Sequence, residues 1–161
     1  MNPNPDSLAV RDILRSLPFF QELTPGELER VVALGRVVTY PKEMILFREG
    51  DKGEALYVVL DGSVRVSKAV PGSRDEAMAF MERGSFFGEM ALVDEFPRSA
   101  TAVASQDCKV LFIDKQAFIQ MVQEDPVIGR KILWAFCRTL SLRLRETTDR
   151  IVALSSFTRS V

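Results

Sequence analysis

One stretch of this chain places a glycine, a carboxylate, a guanidinium and a hydroxyl where together they could hold a small anion. It runs Phe86-Phe87-Gly88-Glu89-Met90-Ala91-Leu92-Val93-Asp94-Glu95-Phe96-Pro97-Arg98-Ser99-Ala100-Thr101-Ala102-Val103-Ala104. Gly88 lets the backbone approach a ligand and opens a short predicted helix, Glu89 to Val93, whose free N–H groups suit an anion. An ionised Glu89 accepts hydrogen bonds and donates none, so it can grip a sugar hydroxyl but repels a phosphate set directly beside it. Arg98 balances that charge, because a guanidinium engages two phosphate oxygens at once and stays charged when shielded from water. Pro97 fixes its own φ and pushes Phe96 toward an extended conformation, which presents Arg98 at a set position. Ser99 adds a small hydroxyl donor. The combination asks for a ligand with a phosphate at one edge and a hydroxylated sugar at the other.

Other chemistry finds little support. The chain has no histidine, which removes Ser-His-Asp triads and histidine-ligated metal sites. No acidic pair stands in a context that singles it out for catalysis, so an enzyme is not expected. The two cysteines, Cys108 and Cys137, lie in apolar surroundings without the short spacing of metal or redox motifs, and read as buried free thiols. Net charge is −1, which gives no basic excess for direct nucleic-acid binding by this chain. The apolar runs are too short to span a bilayer, and Met1-Asn2-Pro3-Asn4-Pro5 lacks the regions of a signal peptide. A cytoplasmic location and no membrane partner are the resulting expectations.

The elements that must position the stretch can be read from periodicity. At 161 residues the chain suits one domain with one continuous core. Residues 7–35 read as two short helices, the second opened by Thr24-Pro25-Gly26-Glu27 as a capping box. Short β-rich runs follow: Arg36 to Tyr40, Met44 to Phe47, Ala55 to Leu60, Ser63 to Val70, Glu76 to Met81, Ser99 to Ala104 and Lys109 to Ile113. Their spacing suggests a β-barrel or sandwich. Asp61-Gly62 and Gly50-Asp51-Lys52-Gly53 read as tight turns with structural glycines. Asp114 is placed to cap a helix over Lys115 to Gln123, and Pro126 then opens a long one through about Leu154.

The apolar stripe of that long helix runs Ile132, Phe136, Leu140, Leu144, Ile151 and Leu154, with Thr147 on the same seam. Steps of three and four make a coiled-coil-like register. Trp134 and Phe136 in the first half are assigned to core packing, and the second half to a helix-to-helix homodimer contact. Arg143, Arg145, Glu146, Asp149 and Arg150 read as a solvated polar face.

Phe87-Gly88-Glu89-Met90-Ala91-Leu92 followed by Pro97-Arg98-Ser99-Ala100-Thr101-Ala102 resembles the phosphate-binding cassette of cyclic-nucleotide-binding domains, as found in kinase regulatory subunits, nucleotide-gated channels and the bacterial catabolite activator. The resemblance extends through Glu49-Gly50-Asp51-Lys52-Gly53 and Leu56 to Val64. It implies a mainly β fold with flanking helices: an antiparallel, jelly-roll-like β-roll over 36–114 with the cassette at 86–104, N-terminal helices in 1–35, and a hinge helix and long helix in 115–161. It further implies that Glu89 binds a ribose 2′-hydroxyl, that Arg98 and Ser99 bind a cyclic phosphate, and that backbone amides near Gly88, Met90, Ala91 and Ala100 complete the cradle. Leu92 matches a hydrophobic latch, and Thr147 and Thr148 match a stretch that supplies adenine contacts. Many relatives carry a glycine where this chain has Glu43.

The resulting expectation is a cyclic-nucleotide sensor, without a cofactor, whose ligand is cAMP or alternatively cGMP and whose C-terminal helix transmits binding to an effector that the sequence does not identify. Bacterial activators continue into a helix-turn-helix, whereas only Ser155 to Val161 follow here, so no output segment is expected. Two further readings are the sensor portion of a transcription regulator and an interaction domain whose pocket no longer binds nucleotide. A cupin-like metal enzyme is disfavoured by the missing histidines.

Overall fold

The computed structural model of the chain describes residues 5–69 and 76–158. It contains helices α1 (Pro5–Ser16) and α2 (Pro25–Leu34), strands β1 (Gly35–Tyr40), β2 (Ile45–Phe47), β3 (Ala55–Asp61), β4 (Ser63–Lys68), β5 (Glu76–Glu82), β6 (Phe86–Phe87), β7 (Thr101–Ala104) and β8 (Cys108–Asp114), then helices α3 (Lys115–Glu124) and α4 (Pro126–Thr158). A 3-10 turn, Glu89–Leu92, stands between β6 and β7. The strands form two antiparallel four-stranded sheets, in the orders β1-β8-β3-β6 and β2-β7-β4-β5. This is the β-roll with flanking helices that the sequence implies.

Strand β3 explains how the layers meet. Its first five residues are all buried, because each of its two faces has a cover. Leu56 and Val58 join Leu111 and Ile113 of β8 in a core completed by Leu14, Phe19, Phe20, Val31, Ile128, Ile132 and Phe136 from the helical side. Ala55, Tyr57 and Val59 face the second sheet, against Val64, Ala102 and Ala104. Phe19 stacks on Phe136 with ring centres 4.1 Å apart and meets Phe86 edge-on at 4.4 Å, so the N-terminal segment, α4 and the entry to the 3-10 turn share one aromatic contact.

The helix termini follow their capping chemistry. Thr24 accepts a hydrogen bond from the Glu27 amide and the Glu27 carboxylate accepts one from the Thr24 amide, completing the expected box. Asp114 accepts from the Ala117 amide at 2.9 Å. Asp125 accepts from the amides of Val127 and Ile128, each at 3.1 Å, so the residue that ends α3 also caps α4.

Several sequence expectations need correction. Ser99 lies outside β7, which begins at Thr101, and β6 was not anticipated because two residues show no periodicity. The turn expected as a helix over Glu89 to Val93 is a 3-10 turn ending at Leu92. Trp134 is 63% exposed, whereas Phe136 is buried; at about 100° per residue the two positions stand some 200° apart on α4, so only one can face the core. Cys137 is exposed by the same rotation, while Cys108 is buried as expected. Val70 and the side chain of Leu154 lie outside the described residues.

Candidate functional site

The backbone of Arg98 is fixed by the corner that precedes β3. Gly50 donates to the Arg98 carbonyl at 2.9 Å, and Arg98 donates to the Asp51 carbonyl at 2.8 Å. The corner expected to be purely structural therefore also positions the arginine. Gly53 in that corner lies so close to the 3-10 turn that a Cβ there would come 2.4 Å from Cβ of Ala91. Gly88, at φ 77°, adopts the left-handed conformation, and a Cβ there would sit 2.5 Å from Arg98 Nη1. Both contacts require the absence of a side chain.

The Arg98 side chain is buried. Its Nη1 donates to the Gly88 carbonyl at 3.1 Å and its Nη2 to the Ala55 carbonyl at 2.8 Å, while the guanidinium lies 4.2 Å from the centre of the Phe47 ring. Nε is buried without an acceptor among the described residues. Among the described residues Arg98 forms no ion pair. Burial pushes its pKa down, and Tyr57, by electrostatics and hydrogen bonding, with the charges of Glu89 and Asp51, opposes that shift. A buried cation without a carboxylate partner is costly, and an anion delivered to it recovers that cost.

Glu89 is also buried, and it has found a cation: Arg143 of α4, whose Nη1 donates to Glu89 Oε1 and whose guanidinium lies 4.8 Å from the centre of the Phe86 ring. Arg143 therefore does not belong to the solvated face assigned to it from sequence. Nothing local in the sequence marks this pairing, since 54 residues separate the partners.

A cavity of about 260 Å³ opens between these groups. Gly88, Glu89, Met90, Ala91, Arg98, Ser99 and Ala100 all line it, together with Arg143 and the apolar side chains of Phe47, Val66, Met81 and Phe96. Sequence reasoning did not reach Val66 and Met81, which lie on two strands remote in the chain and enter only through sheet register. Leu92 points the other way, into the core cluster that also holds Phe118 and Met121 of α3. Thr147 and Thr148 are not brought to the cavity: both are exposed, and their hydroxyls donate to Arg143 and Leu144 carbonyls one turn back. Among the described residues no cluster of metal-ligating side chains occurs and no helix is long and apolar enough to cross a membrane.

Comparison with known proteins places this geometry. The chain is 31% identical over 142 residues to the cyclic AMP receptor protein of Thermus thermophilus, an alignment covering 88% of this chain and 64% of that one. It thus spans just under two thirds of that relative's length. Among solved structures it resembles a cyclic nucleotide-binding domain from Methylobacillus flagellatus, with TM-score 0.79 and 28% identity over 91% of this chain and 83% of that one. It also resembles the regulatory domain of Toxoplasma gondii PKA crystallised with cAMP, with TM-score 0.70 and 28% identity over 74% and 46% of the two chains. The profile of the cyclic nucleotide-binding domain family matches residues 37–125, more than half of the chain, from within β1 through the Gly88–Ser99 stretch to the end of α3. With that match, the β-roll and the Gly88–Ser99 stretch are accounted for together, and the chain belongs to the cyclic nucleotide-binding domain family.

Proposed function

We propose that the cavity binds a 3′,5′-cyclic nucleotide, cAMP foremost with cGMP as the alternative, and that binding is transmitted through α4. The observation that carries this reading is Arg98: a buried guanidinium, without an ion pair among the described residues, lining a cavity of about 260 Å³. A cyclic phosphate would accept from the unpaired Nε and the remaining guanidinium protons, with Ser99 and the first amides of the 3-10 turn, which lack intrahelical partners, completing its shell. Arg143 occupies Oε1 of Glu89, which leaves Oε2 to accept from a ribose hydroxyl. Support for cAMP comes from the relatives' names, one a cyclic AMP receptor protein and one a regulatory domain crystallised with cAMP.

The Glu89–Arg143 pair supplies the link to α4. A ligand that shifts Glu89 or Arg98 acts on a helix already tied to the cassette, and it moves the equilibrium by its differential affinity for two positions of that helix. On the core side, Leu92 would couple the same movement to α3. The output device then belongs to whatever α4 meets, a DNA-binding segment or an effector protein.

Calorimetric titration with cAMP, cGMP and cyclic di-GMP tests the reading. Wild type should bind a mononucleotide, and Arg98→Ala should weaken it by about 100-fold, the usual loss when one partner of a buried charged contact is truncated. Arg98→Lys keeps the charge but not the fork, and should also lose affinity. Wild type that binds none of the three at millimolar concentration would overturn the proposal.

A further inference from the structure

The cavity has a polar pole, made by Glu89, Arg98, Ser99 and Arg143, and an apolar pole that the phosphate and ribose do not use. Three aromatic rings line it. Phe87 has a face committed to Tyr57, stacked at 5.2 Å with 4° between the planes, and Phe47 carries the Arg98 guanidinium on its face at 4.2 Å. Phe96 differs from both. It is 77% exposed, and no ring or cation contact engages it among the described residues.

An aromatic ring left in water at a cavity mouth gives up the burial that usually offsets its cost. Its backbone is nevertheless held. The Phe96 amide donates to Asp94 Oδ1 at 3.1 Å, Pro97 keeps Phe96 extended, and Arg98 is pinned by its two main-chain bonds to the Gly50–Asp51 corner. Residues two apart in an extended segment present their side chains to the same side. Phe96 and Arg98 accordingly both line the cavity, about 7 Å apart along the chain. In a cyclic nucleotide, one sugar ring separates the phosphate from the base.

We propose that Phe96 is the stacking platform for the ligand's base, and that it favours a purine over a pyrimidine. This rests on the nucleotide reading of the cavity. A phosphate held at Arg98 directs the base toward the mouth, where Phe96 offers the aromatic face not already in use. Stacking of a base on an aromatic side chain is worth on the order of tenfold or more in affinity, and a two-ring purine covers more of the Phe96 ring than a pyrimidine and so buries more apolar surface.

The test is equilibrium titration of the full chain with cAMP, cGMP and cCMP, using wild type, Phe96→Leu and Phe96→Trp. Because Phe96 is exposed, neither substitution disturbs the core, and the ratio between nucleotides serves as an internal control for site integrity. Phe96→Leu should weaken the purine nucleotides about tenfold and cCMP by less, so that the purine-to-pyrimidine affinity ratio falls, while Phe96→Trp retains or increases it. An unchanged ratio in Phe96→Leu, whether all three affinities hold or all fall together, overturns the platform and leaves the nucleotide site standing. Failure of wild type to bind any of the three overturns the nucleotide reading itself.

Discussion

Glu43 is the single non-glycine residue that the described backbone holds at positive φ, at 67°. Its neighbours leave it no freedom: the Glu43 amide donates to the Ala104 carbonyl at 2.8 Å, Met44 donates to the Pro41 carbonyl at 3.0 Å, and Lys42 donates to Asp107 Oδ1 at 2.8 Å. With each of these donors spent on a fixed acceptor, the turn keeps the shape that a glycine would give it and the glutamate bears the strain, about 1–2 kcal/mol for a residue with a Cβ. Glu43→Gly should therefore stabilise the fold by about 0.5–1 kcal/mol, the strain relieved less the extra entropy of glycine in the unfolded chain. Urea unfolding reads this as a higher midpoint at unchanged slope, with no gain for Glu43→Ala; a lower midpoint for the glycine variant would mean that the Glu43 side chain contributes more than its backbone costs. At the same scale, the legible part of the site is what ten residues of chain hold together. Glu89 and Arg98 announce each other because a carboxylate beside an anion site needs a compensating cation nearby, whereas Arg143 reaches Glu89 from another element and looks, in sequence, like any charge on an exposed helix face.

Elements were legible where termini and periods speak, and illegible where only tertiary packing decides. The box at the start of α2 is an example of the first kind, and its environment adds what the sequence could not show: Lys131 of α4 donates to both Glu27 oxygens, at 2.9 and 2.7 Å. That contact first, and the Thr24 amide second, hold the Glu27 pKa below its ordinary value of 4.5. A carboxyl depressed in the folded state contributes stability that is fully present above its unfolded pKa and is lost as pH falls through the folded one. Wild type should thus lose thermal stability below about pH 4.5 more steeply than Glu27→Gln. Thr24→Ala, which removes the other half of the box, should cost about 1 kcal/mol at neutral pH. Parallel melting curves for wild type and Glu27→Gln across pH 3 to 7 that never converge in acid would separate Lys131 from the α2 terminus. Helix α4 shows the second kind of case: its period was evident, but which residues of its first half face inward was settled by the aromatic contact with Phe19, and that choice turned Trp134 and Cys137 outward.

Taken as a whole, the molecule has a compact body and one element that leaves it. Among the described side chains the last buried residue of α4 is Thr139, and the helix continues, past the Arg143–Glu89 pair, to Thr158, almost 30 Å further at 1.5 Å per residue. Along that extension Leu142, Leu144, Ile151 and Val152 are each at least 60% exposed. With the first-half orientation known, the outward seam reads Leu133, Cys137, Leu140, Leu144, Thr147 and Ile151, steps of four and three that keep one face through successive heptads. Among the described residues Leu133, Leu144, Thr147 and Ile151 on that seam are exposed, and a second copy presents the identical seam for a two-fold contact. We therefore expect a homodimer through α4, in which Thr147 on the seam, and Thr148 beside it, approach a ligand only once two helices pair. Sedimentation should give twice the 18.1 kDa chain mass for wild type and a monomer for Leu144→Asp. Cys137 serves as a reporter of direction, because in a parallel, in-register pair it faces its own copy, so mild oxidation should cross-link wild type and not Cys137→Ser; Cys108, being buried, stays silent. A monomeric wild type at high concentration, with and without cyclic nucleotide, would remove the seam as an interface and leave α4 to be covered by a different protein. A dimer that resists cross-linking would keep the interface but reverse or shift its register, and Thr147 and Thr148 would then have no route to the cavity.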